Sequence, residues 1–156
     1  MFRLEEIHKT DIGGLVKTAN ILNACGKDMA GKYDLHHWDN PFIKSFLIVL
    51  LCLFKNRLFM VYSEDSPVAT FQIRVKRDTL YFEKLGTLPR ESGRGAGSYC
   101  MKAIEQMGAE LGCKKVSMEV YESSNYAIGF YRNRGYRPVS RVRTARYNEI
   151  VMEKII

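Results

Sequence analysis

The sequence predicts a mixed α/β domain, a mostly antiparallel sheet of about seven strands flanked by about four helices. Three observations predict it. Three strand-like runs follow one another, Leu58 to Glu64, Val68 to Arg77 and Leu80 to Leu88, with turn signals between them. The period then changes, because Cys100, Ile104, Met107 and Leu111 recur at the spacing of one helix face. Val116, Met118 and Val120 next alternate as a strand. A meander followed by strand-helix-strand argues a mixed sheet with helices on both faces.

Taken in order, Phe2 to Ile7 reads as a short first strand. Thr10 or Asp11 is the N-cap of a helix running through Ala24. Asp39 or Asn40, followed by Pro41, starts a second helix that runs to about Phe54. Its apolar core, Phe46 to Phe54, is nine residues long, whereas a membrane span needs about 20. Asp65-Ser66-Pro67 and Asp78-Thr79 turn the meander. Within it, Ala69, Phe71, Ile73 and Val75 share one face, with Thr70, Gln72 and Arg74 on the other. Gly112 stops the long helix in the left-handed conformation. Ala127, Phe130, Tyr131 and Arg134 mark a last short helix, which Gly135 ends. Tyr136 to Arg146 and Tyr147 to Ile156 are closing strands.

The 156 residues suit one domain, residues 1–156, with no linker or internal repeat. The cysteines are Cys25, Cys52, Cys100 and Cys113, without a Cys-x-x-Cys pair. That argues against zinc and thioredoxin-type redox sites and suits reduced thiols in the cytoplasm. The start, Met1-Phe2-Arg3-Leu4-Glu5-Glu6, has no signal-peptide apolar region. No membrane association is expected. The net charge of +7 favours an anionic partner. Arg132, Arg134, Arg137, Arg141, Arg143 and Arg146 fall in a stretch with no carboxylate. They read either as a solvated basic face or as phosphate ligands. Helix-turn-helix, zinc-finger and RNP signatures are missing, so nucleic acid is not the expected partner.

The most informative stretch is Arg90-Glu91-Ser92-Gly93-Arg94-Gly95-Ala96-Gly97-Ser98. It leaves a strand and opens a helix, where about four N–H groups lack helical partners and the macrodipole is positive. Glycines at 93, 95 and 97 let a pyrophosphate approach those amides, and Arg90 and Arg94 add positive charge. A Walker loop would need Gly-Lys-Ser/Thr, and a dinucleotide fingerprint would need glycine where Ser98 stands.

Arg90-x-x-Gly93-x-Gly95 resembles the acetyl-coenzyme A signature of the GNAT superfamily of N-acetyltransferases. Leu85-Gly86-Thr87-Leu88-Pro89 is similar to the family's preceding strand. Phe130-Tyr131-Arg132-Asn133-Arg134-Gly135-Tyr136 resembles the end of its second motif. The match covers residues 57 to 155, and the first 56 fit in element order alone.

The resemblance implies acetyl-CoA as co-substrate and direct transfer of its acetyl group to a primary amine. Leu85 and Thr87 would meet pantetheine, and an N–H near Leu85 or Gly86 would polarise the thioester carbonyl. Arg90, Gly93, Arg94, Gly95, Ala96, Gly97 and Ser98 would line the pyrophosphate. Ser124 stands where relatives often have asparagine, with Asn125 and Ala127 next along the pantetheine wall. Tyr131 matches the family's acid near the coenzyme sulfur. Glu83 is the base candidate, two residues before Leu85 and read as sharing its face; water-mediated deprotonation is the alternative. The acceptor pocket would draw on Tyr33, His37, Trp38 and Glu83. No metal is expected. The acceptor is a small-molecule or peptide amine, and relatives are often homodimers. A binding protein of the same fold without turnover, or a basic nucleic-acid-binding module, are the other readings.

Overall fold

The computed structural model describes residues 1–38 and 54–156. Its elements are β1 (Phe2–Ile7), α1 (Ile12–Tyr33), β2 (Arg57–Ser63), β3 (Ser66–Lys76), β4 (Thr79–Thr87), α2 (Ala96–Glu110), β5 (Lys115–Tyr121), α3 (Asn125–Arg132), β6 (Arg137–Arg143) and β7 (Asn148–Ile155). The expected second helix lies outside the described residues except for Phe54, as does Cys52.

Local chemistry explains the boundaries. The Asp11 carboxylate accepts the Gly14 N–H at 3.0 Å, a cap that contributes about 1 kcal/mol. The first helix does not stop at Ala24 but continues to Tyr33. Nothing between is a breaker strong enough to end it, since Gly26 lies in a packed contact and no proline intervenes. Asp34 ends the helix in the left-handed conformation at φ 54°. At the end of α2, Cys113 N–H reaches the Gly108 carbonyl at 2.9 Å and Gly112 N–H reaches Ala109 at 3.0 Å. With Gly112 at φ 73°, this is the Schellman arrangement that the glycine predicted.

The sheet order is β1-β2-β3-β4-β5-β7-β6. Every neighbouring pair is antiparallel except β4 and β5. Each face buries a core. One side packs Phe59, Phe71, Leu80, Phe82, Val116 and Met118 against Cys100, Met101 and Ile104 of α2. The other packs Leu58, Met60 and Tyr62 against Leu15, Ala19 and Cys25 of α1. Fully burying one such large side chain contributes roughly 1.5–3 kcal/mol.

Two irregularities position the site. The parallel ladder pairs only Thr79 with Lys115, Leu80 with Val116 and Tyr81 with Ser117. Beyond Tyr81 and Ser117 the two strands part, leaving an opening in mid-sheet. At the same level β4 carries a bulge: Gln72 pairs with Glu83 but Thr70 with Gly86, and Lys84 takes φ 50°. The inserted residue reverses which side chains face which helix.

Candidate active site

The opening is walled on its α2 side by the glycine-rich loop. Leu88 N–H bonds the Val68 carbonyl at 2.8 Å, and a short 3-10 turn follows at Pro89–Glu91. Gly93 and Gly95 then take φ of 75° and 93°, in the region that disfavours side chains. The first ladder bond of α2 is Tyr99 N–H to the Gly95 carbonyl at 2.9 Å. The amides of Ala96, Gly97 and Ser98 therefore begin the helix without ladder partners. A Cβ at Gly93 would meet nothing within 4 Å, and one at Gly95 only the Phe2 ring at 3.7 Å. Gly97 differs: a Cβ there would stand 3.3 Å from Phe130, so this glycine lets α2 and α3 approach each other.

Charge at the loop is arranged differently from the sequence expectation. Arg90 and Arg94 both turn toward Glu91, at 3.8 and 3.4 Å, and stay largely exposed. Glu91 was not singled out by sequence, and it neutralises part of their charge. Arg134 from the end of α3 is the better-anchored guanidinium. It lies 3.5 Å from the Phe130 ring centroid, donates to the Phe130 carbonyl at 2.8 Å, and donates to the Ser98 hydroxyl. Such stacking contributes about 0.5–1 kcal/mol at an exposed site.

Tyr131 is buried on α3, its ring 5.9 Å from Phe82 and 6.0 Å from Tyr136. Burial, reinforced by neighbouring Cys100, pushes its pKa above the ordinary phenol value. Ala127 packs against the same core, and Leu85 joins it from β4. Ser124 is buried at the N-cap position of α3, but its hydroxyl makes no capping bond. Asn125 is the first residue of that helix. Thr87 Oγ1 lies 3.8 Å from where a Gly97 Cβ would be, on the α2 side.

The bulge separates Glu83 from Leu85. Glu83 pairs with Gln72 on the α1 side, whereas Leu85 packs into the α2-side core. Their expected common face is thus corrected, because period-two alternation fails across an inserted residue. The Glu83 carboxylate accepts from Arg74 Nε at 3.2 Å and Asn56 Nδ2 at 3.3 Å. Gly86 also faces α1, where a Cβ would meet Cys25 Sγ at 3.1 Å and Leu22 at 3.2 Å.

His37 packs on Tyr121, with ring centroids 4.5 Å apart, and stands 6.0 Å from Tyr147. Burial lowers its pKa to about 4, so it is neutral near pH 7. Trp38 packs against the α1-side core, and its carbonyl would be 2.8 Å from a Gly26 Cβ. Tyr33, at the end of α1, stacks on Tyr126 of α3 at 6.3 Å. Two carboxylates missed by sequence share the α1 side, Glu119 on β5 and Glu149 on β7. Burial and the hydrogen-bonded Glu119 raise the Glu149 pKa to about 7. Two surface grooves of 370 and 360 Å³ lie at the β1–β2 corner and beneath α2, and neither is lined by Tyr131 or Glu83.

Residues 22–136 match the model of the Acetyltransferase (GNAT) family. An uncharacterized N-acetyltransferase, YjcF, of Bacillus subtilis (strain 168) is 30% identical over 81 residues, covering 52% of this chain and 56% of that protein. The match thus spans little more than half of that curated relative. Among solved structures, PaiA N-acetyltransferase from Thermoplasma acidophilum in complex with coenzyme A superposes with TM-score 0.79 at 13% identity, over 100% of this chain and 99% of that one. The ribosomal-protein-S18-alanine N-acetyltransferase of Escherichia coli gives 0.78 at 16% identity, over 100% and 94%. At these identities the likeness establishes the fold, the mixed α/β sheet that the sequence predicted.

Proposed function

Because this chain belongs to the GNAT acetyltransferase family, we propose that it transfers the acetyl group of acetyl-CoA, the family's co-substrate, to a primary amine by direct attack. One observation carries the reading. An opening between two parallel strands has free helix-start amides on one side and a carboxylate on the other.

The amides of residues 95–98 and Arg134 bind the diphosphate, and Gly93 and Gly95 leave the space it needs. Leu85 and Thr87 line the pantetheine side. Acetyl-CoA supplies an activated thioester, in which the C–N bond forms as the C–S bond breaks. Tyr131, kept protonated by burial, gives its proton to the departing sulfur and is restored, by way of solvent, by the second proton that the newly acylated nitrogen sheds. A lysine-like acceptor arrives as ammonium, with a pKa of about 10.4, and sheds its proton to Glu83 directly or through water. The bulge lets one strand do both tasks, facing the acceptor with Glu83 and the coenzyme with Leu85. The three described cysteines are free, which fits a reducing cytoplasm.

An assay of thiol release with a panel of amines, run beside an acetyl-CoA binding titration, tests the proposal. Amine-dependent release supports transfer. Binding without release for every amine identifies a non-catalytic binder, and absence of binding removes the reading.

A further inference from the structure

The α1 side of the opening carries more acid than one proton transfer uses. Glu83 and Glu119 each stand two residues past Tyr81 and Ser117, the last parallel pair, and so flank the gap. Both face the α1 side, because Glu83 pairs with Gln72 and Glu119 alternates with the core residues Met118 and Val120. Glu149 lies opposite Tyr121 on β7 and shares that face. Three neighbouring strands thus present one carboxylate each. With strands about 4.8 Å apart, and farther where β4 and β5 part, the acids form a row rather than a cage. Among the described residues no three acidic, histidine or cysteine side chains gather closely enough to hold a metal ion.

Their surroundings suit nitrogen cations. His37, Tyr121 and Tyr147 pack together beside the row, with Tyr121 and Tyr147 centroids 5.3 Å apart. Aromatic faces and carboxylates together recognise ammonium groups. His37 adds no charge to oppose them, being held neutral. Arg141 of β6 is committed to Glu122 at 2.7 Å, whereas Arg74 pairs with Glu83 at 3.2 Å and Lys84 is the cation that acts on Glu149. At the other end of the row, Asn56 is only 8% exposed and donates to both Glu83 and Gln72. Among the described residues its Oδ1 accepts nothing although it is buried, and the adjoining Gln72 Nε2 likewise donates to nothing. The two residues beside Glu83 thus leave one hydrogen-bonding place that a substrate N–H can fill and one that an acceptor can fill.

Resting on the acetyltransferase reading, we propose that the acceptor is a small amine bearing at least two ammonium groups. The reacting nitrogen lies at Glu83, and a second ammonium lies against the hydrogen-bonded pair Glu119 and Glu149, beside the Tyr121 and Tyr147 rings. Both carboxylates then serve as specificity determinants and leave the acetyl transfer itself to Tyr131 and Glu83.

The test compares butylamine, putrescine and spermidine at saturating acetyl-CoA, with wild type, Glu119→Gln, Glu149→Gln and the double variant. Wild type should prefer putrescine over butylamine in kcat/KM by about ten- to a hundred-fold, the range of one or two charge-assisted hydrogen bonds. The double variant should bring that ratio near unity, while KM for acetyl-CoA stays close to wild type and the protein melts no lower than wild type. No preference in wild type, a preference that survives in the double variant, or acetyl-CoA binding with no reaction of any of the three amines would each overturn the proposal alone. Failure to bind acetyl-CoA refutes the acetyltransferase reading and takes the proposal with it.

Discussion

Glu83 and Leu85, two residues apart on β4, face opposite sides of the sheet. Glu83 pairs with Gln72 on the α1 side, and Leu85 packs into the core beneath α2. Lys84 makes this reversal, at φ 50°. Its conformation is one that β-branched residues strongly resist. Lys84→Val should therefore cost about 1–2 kcal/mol, measured by urea denaturation. Lys84→Gly should be tolerated, because glycine adopts that φ without a Cβ clash. Equal stability of the two variants would contradict the bulge.

Tyr131→Phe should lower turnover by roughly 10²–10⁴ if the phenol is the acid. Among the described residues its hydroxyl makes no hydrogen bond, so folding stability and acetyl-CoA affinity should change little. Kinetics with a calorimetric titration separate these effects. Unchanged kcat would assign the proton to another group.

Gly95→Asp should abolish acetyl-CoA binding. It places a negative charge among the amides that receive the diphosphate, at a φ of 93° that disfavours any side chain. Gly97→Ala should act differently, disturbing stability through the 3.3 Å approach to Phe130. Titration and thermal melting of both variants distinguish a ligand cradle from a helix contact.

Two groups predict opposite pH limbs of stability. His37 has a folded pKa of about 4, below its ordinary 6.5, so its contribution is complete above pH 6.5 and lost as pH falls through about 4. Glu149 is raised from 4.5 to about 7, so its contribution is present below pH 4.5 and lost as pH rises through about 7. His37→Phe should flatten the acid limb, and Glu149→Gln should raise the melting temperature above pH 7. Denaturation curves across pH 4 to 8 check both signs.

The sequence made local features legible wherever one residue sets one conformation. The Asp11 cap, the Gly112 stop and the spacing of Cys100 and Ile104 all appear where expected. The bulge was hidden, because Leu80 to Leu88 reads as an unbroken strand and an inserted residue has no signature of its own there. The extension of α1 was hidden because Gly26 looks like a stop until its close approach to Trp38 is known. Side-chain partners across the fold were less legible still. Nothing local says that Arg134 reaches Ser98, or that Glu119 and Glu149 share a face with Glu83. Such groupings come from strand register, which joins residues far apart in the chain.

A crystal structure with coenzyme A bound tests the central claim most directly. The account predicts the diphosphate on the amides of residues 95–98 with Arg134 beside it, and the sulfur at the β4–β5 opening within reach of the Tyr131 hydroxyl. Coenzyme A lodged elsewhere, or its sulfur directed away from that opening, would contradict it.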